Sequence, residues 1–128
     1  MTNAEIQVGE YVRTIDGKIG IFDHYNSRQK NSIFYSHYDC FVKFQGIKFA
    51  QQKCSENIKS HSFNIIDLIE VGDYVNGLPV RFVENGRIDI GQEENYFWLK
   101  NEHIVSVVTH EQMKSMEYKV GGEDEQSR

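Results

Sequence analysis

The motif Val8-Gly9-Glu10-Tyr11-Val12 recurs 63 residues later as Val71-Gly72-Asp73-Tyr74-Val75. We call these two segments the echoed motifs. In both copies a glycine and an acidic residue precede a short alternating run, and each copy is followed by a turn and an apolar strand. Similar segments in one chain indicate an internal repeat. The repeated motif therefore predicts two similar β units, residues 6–60 and 61–120, within a single mostly-β domain of residues 1–120.

Turn signals divide these units into short strands. Asp16-Gly17 and Asn85-Gly86 each separate two short runs of strand-forming residues, which is a strong hairpin signal. Further strands are expected at 32–35, 40–45, 47–51, 96–99, 104–108 and 117–120. Many short strands at tight spacing favour a small barrel or a sandwich.

One short helix is expected near the C-terminus. Thr109 at the N-cap and Gln112 three residues later form a capping-box pattern, which predicts a helix over 110–116. The apolar segment 62–69 fits one helical turn or a buried strand, and its periodicity does not distinguish them.

The charge of the chain is acidic and unevenly distributed. The net charge is −5, which argues against general nucleic-acid binding, so no direct DNA contact is expected. Residues 1–64 hold eight basic and six acidic residues, a balance of +2, whereas residues 65–128 hold six and thirteen, a balance of −7. The acidic half is either a solvated surface or an acidic face, with Asp89, Glu93 and Glu94, that docks on a basic partner such as a nuclease.

Several segments bear on location. No apolar run approaches the roughly 20 residues that a membrane helix needs, and the first ten residues lack the pattern of a signal peptide. We therefore expect no membrane association and a cytoplasmic location.

Residues 121–128 contain no large apolar side chain and predict a disordered acidic tail.

The sequence offers little for catalysis or for a cofactor. The five histidines and two cysteines show no zinc spacing, and no phosphate-binding loop or nucleophile motif occurs. Cys40 and Cys54 are expected to be free thiols. The carboxylates are interpreted as solvated acids and turn formers, so the sequence predicts no metal, no cofactor and no enzyme.

The segment 23–39 is the main candidate binding element, because it is long for a hairpin connection and mixes rings with cations. Tyrosine and arginine are typical of protein interfaces, and rings beside cations also suit a stacked nucleotide. A polar loop anchored by its aromatics is the third alternative. The candidate residues are Tyr25, Arg28, Lys30, Tyr35, His37 and Tyr38.

Two longer stretches carry resemblances to known proteins. Residues 61–77 and 104–120 together resemble small, largely uncharacterised proteins encoded by phages and prophages of Firmicutes, and the Val8–Val12 opening gives weaker support. The Val-Gly-acidic-Tyr-Val motif with its glycine turn resembles SH3-like barrels of the KOW type.

The phage resemblance implies a gene product that acts in a bacterial cytoplasm. Accessory proteins of this kind often antagonise host defence, so the first expectation is a non-enzymatic, anti-CRISPR-like inhibitor that binds a host nuclease effector. The first alternative is a sponge that sequesters a signalling nucleotide of a host immune system, as a homodimer or higher oligomer. The second alternative is a phage housekeeping interaction module.

Overall fold

A computed structural model of the chain describes residues 5–25, 39–91 and 97–121. This part of the chain is mostly β, with three antiparallel sheets and one short α-helix. The strands are β1 Tyr11–Thr14, β2 Ile19–Tyr25, β3 Asp39–Phe44, β4 Gln51–Cys54, β5 Ile58–Ser62, β6 Tyr74–Val75, β7 Leu78–Pro79, β8 Phe82–Glu84, β9 Arg87–Asp89, β10 Trp98–Lys100 and β11 Val107–Val108. The helix α1 is His110–Ser115, and 3₁₀ turns occur at Ser55–Asn57, Ile65–Leu68 and Asn101–His103.

The first half of the chain forms a five-stranded sheet with the order β4-β3-β2-β1-β5. The strands β1 to β4 follow one another, and β5 then returns to pair with β1 after the first 3₁₀ turn. Val12, Phe22 and Val42 are buried along one face of this sheet, because side chains alternate between the two faces of a strand. They form one hydrophobic core with Ile6 and Cys40.

The second half repeats this connectivity across two smaller sheets. Their orders are β11-β6-β7 and β8-β9-β10, and the third 3₁₀ turn precedes β11 as the first precedes β5. As β5 returns to β1, so β11 returns to β6. A second core is built here from Ile66, Ile69, Val75, Val80, Ile88, Ile90 and Leu99.

The echoed motifs adopt the same local structure. In the first, the Gln7 amide donates to the Glu10 carboxylate at 2.7 Å, and in the second the Glu70 amide donates to the Asp73 carboxylate at 2.7 Å. Each glycine amide then bonds a carbonyl of the next strand region, that of Phe22 or Val80, at 3.1 Å. The acidic residue of the motif therefore closes the turn that leads into the first strand of each half.

Several local predictions are confirmed. Both hairpins form, β1–β2 around Asp16-Gly17 and β8–β9 around Asn85-Gly86. The capping box at Thr109 is present, with the Gln112 amide donating to the threonine hydroxyl and the Thr109 amide donating to the Gln112 side chain. Within the ambiguous segment 62–69, a 3₁₀ turn forms at Ile65–Leu68.

Other predictions need correction. Residues 117–120 are not a strand, because no strand among the described residues pairs with them, and the Tyr118 side chain is 83 % exposed. The strand predicted at 47–51 begins only at Gln51, because the connection between β3 and β4 is longer than the tight turn predicted at Gly46. The predicted strand 32–35 and most of the acidic tail lie outside the described residues.

The closed SH3-like barrel remains a prediction. Over the described ranges, β4 and β5 are the outer strands of their sheet and do not pair with each other. Both cysteines are free thiols, with Cys40 buried and Cys54 half-buried. Within the same ranges, no helix combines the length and apolar character required to cross a bilayer.

Gly17 provides a test of how the first hairpin docks on the second half of the chain. A Cβ at Gly17 would lie 2.5 Å from the Glu111 Cβ and from the Thr109 hydroxyl. Gly17→Ala should therefore lower the free energy of unfolding by more than the ~1–2 kcal/mol expected for left-handed backbone alone. Gly46→Ala is the matched control, because Gly46 has a similar φ of +81° with nothing within 4 Å. Equal losses in urea denaturation would contradict this packing.

Candidate binding cleft

A buried arginine connects the two halves of the chain. Arg13 lies on β1 with its side chain fully buried, although arginine is rarely buried without partners. Its Nη1 donates to the Leu68 carbonyl at 2.8 Å and to Asp73 Oδ2 at 2.6 Å, and its Nη2 donates to Asp73 Oδ1 at 3.0 Å. Asp73 is also fully buried. The pair is therefore a bidentate ion pair across the boundary between the two halves.

Glu111 on α1 extends this ion pair into a network. It accepts a hydrogen bond from Arg13 Nη2 and lies 2.7 Å from Lys59 Nζ. Lys59 also contacts Glu70 at 3.0 Å, and Glu70 lies 2.8 Å from His110 Nε2. The network thus joins β1, β5, the second echoed motif and α1.

The network changes the protonation of its acids. Partial burial works to raise the pKa of Glu111, but hydrogen bonds from Lys59 and Arg13 outweigh it and lower that pKa to about 2. Burial likewise opposes ionisation of Glu70, whereas hydrogen bonds from His110 and Lys59 lower the pKa of that carboxyl. Both acids therefore remain ionised well below neutral pH.

Three ligand atoms in this network are close enough to hold a metal ion. One atom each from Glu70, His110 and Glu111 lie within 4.8 Å of one another. However, the Lys59 ammonium already contacts both carboxylates and Arg13 contacts Glu111. We therefore assign the triad to the ion-pair network.

Beside the network, a cleft of about 730 Å³ opens between the two halves of the chain. One wall comes from β1, β2 and the β3–β4 hairpin, and the opposite wall comes from the second 3₁₀ turn, the segment 104–107 and α1. The apolar lining residues are Ile19, Ile47, Ile65, Ile104, Val105 and Val107. Apolar residues make up about half of the lining, and residues with polar side chains make up the rest.

Polar groups in the cleft are cationic or neutral. Lys18 and Lys53 line it together with three glutamines, and no carboxylate of the described residues belongs to the lining. A hydrogen bond from the Thr14 hydroxyl lowers the pKa of nearby Asp16, and Lys18 and Lys53 lower it further. The charged side chains of the described lining are therefore both cationic, in a chain of net charge −5.

Aromatic rings also line the cleft. Tyr11 contributes from β1 and Phe44 from the end of β3. The Lys53 ammonium lies 5.7 Å from the centroid of the Phe44 ring, within cation–π range. The cleft can therefore accept a ligand that combines negative charge with apolar or ring groups.

Of the residues predicted in segment 23–39, the structure describes Tyr25. Its ring packs edge-on against Phe22 at 4.8 Å, and its hydroxyl accepts a hydrogen bond from the Ile6 amide at 2.8 Å. Tyr25 thus anchors the N-terminal segment to the first core. Arg28, Lys30, Tyr35, His37 and Tyr38 lie outside the described residues.

Asp89 does not belong to an acidic face, which corrects the sequence prediction. Its side chain is fully buried and accepts hydrogen bonds from the amides of Gly91 and Phe97 and from Arg81. Burial opposes ionisation of Asp89, but these hydrogen bonds lower its pKa. Asp89 therefore links Gly91 and Phe97, which lie between β9 and β10. Glu93 and Glu94 lie outside the described residues.

Sequence reasoning missed the cleft. Lys18 follows the first hairpin turn and Lys53 lies on an outer strand, positions at which lysine is ordinary. Most of the opposite wall comes from segment 104–107 and Gln112, more than fifty positions after Lys53 in the chain. Only the docking of the two halves brings these groups together.

Comparison with known proteins identifies no relative: no family model, curated protein or solved structure matches this chain.

The Arg13–Asp73 pair predicts a large stability effect. Arg13→Ala should cost about 3–5 kcal/mol of unfolding free energy, because it leaves the buried Asp73 carboxylate without its cation. Glu84→Gln is the control, since it breaks the exposed Arg87–Glu84 pair and should cost no more than about 1 kcal/mol. Chemical denaturation measures both. Similar small losses for the two variants would show that the buried pair does not hold the halves together.

The lowered pKa of Glu111 predicts acid sensitivity with a definite sign. Because the folded value of about 2 lies below the ordinary value of 4.5, the stabilisation is present above pH 4.5 and is lost as the pH falls toward 2. Glu111→Gln should therefore reduce the loss of stability in this window, measured by thermal melts at a series of pH values. Glu117→Gln removes an exposed carboxylate and serves as the control. Identical acid profiles for both variants would contradict the assignment.

Proposed function

We propose that this chain is a non-enzymatic binding protein, a phage accessory protein that binds and inhibits a host defence protein through the inter-unit cleft. The observation that carries the proposal is the cleft itself, whose lining is about half apolar and includes two lysines and no described carboxylate. Such a surface favours recognition of an acidic segment with apolar side chains. The phage setting rests on the resemblance of residues 61–77 and 104–120.

The strand order supports a more specific assignment of the fold. We infer that each half is a small SH3-like barrel, because each contains a meander whose last strand returns to the first after a 3₁₀ turn. In the second half, β7 and β8 would be two parts of one bent strand, separated by Val80 and Arg81. Two such barrels side by side would form the cleft at their boundary.

The acidic half is a weaker candidate for the contact surface. Asp73 and Asp89 are fully buried, and Glu70 and Glu111 bond to Arg13, Lys59 or His110. Carboxylates that already have cationic partners contribute little attraction toward a basic nuclease surface. The positive cleft therefore supports a partner that offers acidic groups at the contact site.

A second candidate function is sequestration of a signalling nucleotide. The rings of Tyr11 and Phe44 beside Lys18 and Lys53 favour it, since bases stack on rings and phosphates pair with cations. Against it, both described cations in the lining are lysines, whereas planar bidentate recognition of phosphate uses arginine. The absorbance ratio at 260 and 280 nm of the purified protein tests for a retained nucleotide.

Reversing the charge of the cleft should abolish the proposed activity. Lys18→Glu with Lys53→Glu should remove protection of a phage in cells that carry a CRISPR defence system, because acidic partner groups would then be repelled. The measurement is the plaque count on cells expressing the wild-type protein or the variant. A protein active in this assay should lose at least about tenfold in plaque count, matching ~1.4 kcal/mol or more of lost binding.

Lys43→Glu is the matched control, because Lys43 is an exposed lysine on β3 outside the cleft. It changes the net charge in the same direction and should keep full activity. Circular dichroism confirms that each variant is folded. A folded double variant with full activity would exclude the cleft, and a wild-type protein without effect on plaque counts would argue against the anti-defence role.

A further inference from the structure

The segment that follows α1 carries unpartnered apolar side chains. Met116, Tyr118 and Val120 alternate along the chain, and their side chains are 76 %, 83 % and 88 % exposed. Single exposed apolar residues are ordinary, but three within residues 116–120 offer an apolar strip that can pack on another surface. The sequence continues with Glu123-Asp124-Glu125, so this apolar strip is joined to a run of negative charge.

The cleft between the two halves has the complementary properties. About half of its lining residues are apolar, and its charged lining residues are Lys18 and Lys53. Beyond the wall formed by the β3–β4 hairpin, Phe49 is 71 % exposed, and Val105 on the opposite wall is 87 % exposed. Each side of the cleft therefore carries an exposed apolar side chain in the wall or next to it.

We infer that the C-terminal segment from Met116 to Glu125 of a second copy of this chain occupies the cleft. The three apolar side chains would cover the exposed isoleucines and valines, and the acidic run would meet Lys18 and Lys53. Charge complementarity supports this assignment, because the segment ends in three consecutive acids and the cleft lining offers none.

A second copy fits better than the same chain. Within its own chain, Tyr118 and Val120 are almost fully exposed, and neither residue lines the cleft. Gln112 lines the cleft, and Met116 follows about one helical turn later, so the segment begins near its own cleft. Two copies facing each other can therefore exchange their segments reciprocally, which gives a closed dimer with two equivalent contacts.

This inference rests on the proposed function and adds a way in which binding of the partner to the cleft is regulated. A segment with the chemistry expected of the partner would occupy the cleft in the absence of that partner. Binding to a host protein would then require displacement of the second copy. The dimer is the resting form, and the monomer presents the open site.

Sedimentation velocity on the full chain tests the inference, from micromolar to millimolar concentration. The wild-type protein should dimerise, and salt should weaken the dimer because exposed charges are screened. Tyr118→Ser with Val120→Ser should weaken dimerisation at least about tenfold, as should Lys18→Glu with Lys53→Glu. Lys43→Glu should leave it unchanged. The serine variants alter side chains exposed in the single chain, so circular dichroism should show no loss of fold.

Charge exchange provides the sharper measurement. Changing Glu123, Asp124 and Glu125 to lysine should weaken the dimer of the wild-type background. The same three changes added to Lys18→Glu with Lys53→Glu should restore it, because the two charges are exchanged across one contact. A wild-type protein that stays monomeric throughout would overturn the inference, as would a dimer that none of these variants affects.

The two hypotheses fail in different assays. If the cleft variant loses plaque protection but sediments like the wild type, the proposed function stands and the segment exchange is wrong. If it loses dimerisation and keeps full protection, the exchange stands and the proposed host contact is wrong.

Discussion

The ion pair between Arg13 and Asp73 connects the parts of this molecule. Arg13 lies in the first sheet, Asp73 belongs to the second echoed motif, and both side chains are fully buried. A buried cation without partners would be costly, so the first sheet is stable in this form only when the second half docks on it. The cleft exists because the two halves are held at this contact.

Asp73 has a double role that its counterpart Glu10 does not share. Both close the turn of their motif through a backbone amide. Glu10 then bonds His61 within its own half, whereas Asp73 bonds Arg13 and the His110 amide. The two halves therefore use one turn design, and the carboxylate of the second copy also fixes the relation between them.

Local sequence signals predicted the parts of the fold that depend on local interactions. The Asp16-Gly17 hairpin, the Asn85-Gly86 hairpin and the Thr109 cap are each determined by a few adjacent residues, and all three are confirmed. The alternation at 117–120 was misleading, because a strand also needs a neighbour that sequence patterns do not reveal.

The candidate site was less accessible to sequence reasoning. Asp89 looked like a surface acid, yet two backbone amides and Arg81 surround it. Lys18 and Lys53 line a cleft only because segment 104–107 lies opposite them in the folded chain. Contacts between residues far apart in the chain decide both outcomes, and neither periodicity nor charge counting contains that information.

The position of Glu111 has a consequence for synthesis on the ribosome. Arg13 emerges from the ribosome 98 residues before its partner Glu111, and Gly17 emerges 92 residues before its partner Thr109. The buried cation of the first sheet therefore lacks its Glu111 partner until 98 further residues have been synthesised. Nascent chains that stall before residue 111 should remain targets for chaperones and proteases, although their first sheet is complete in sequence.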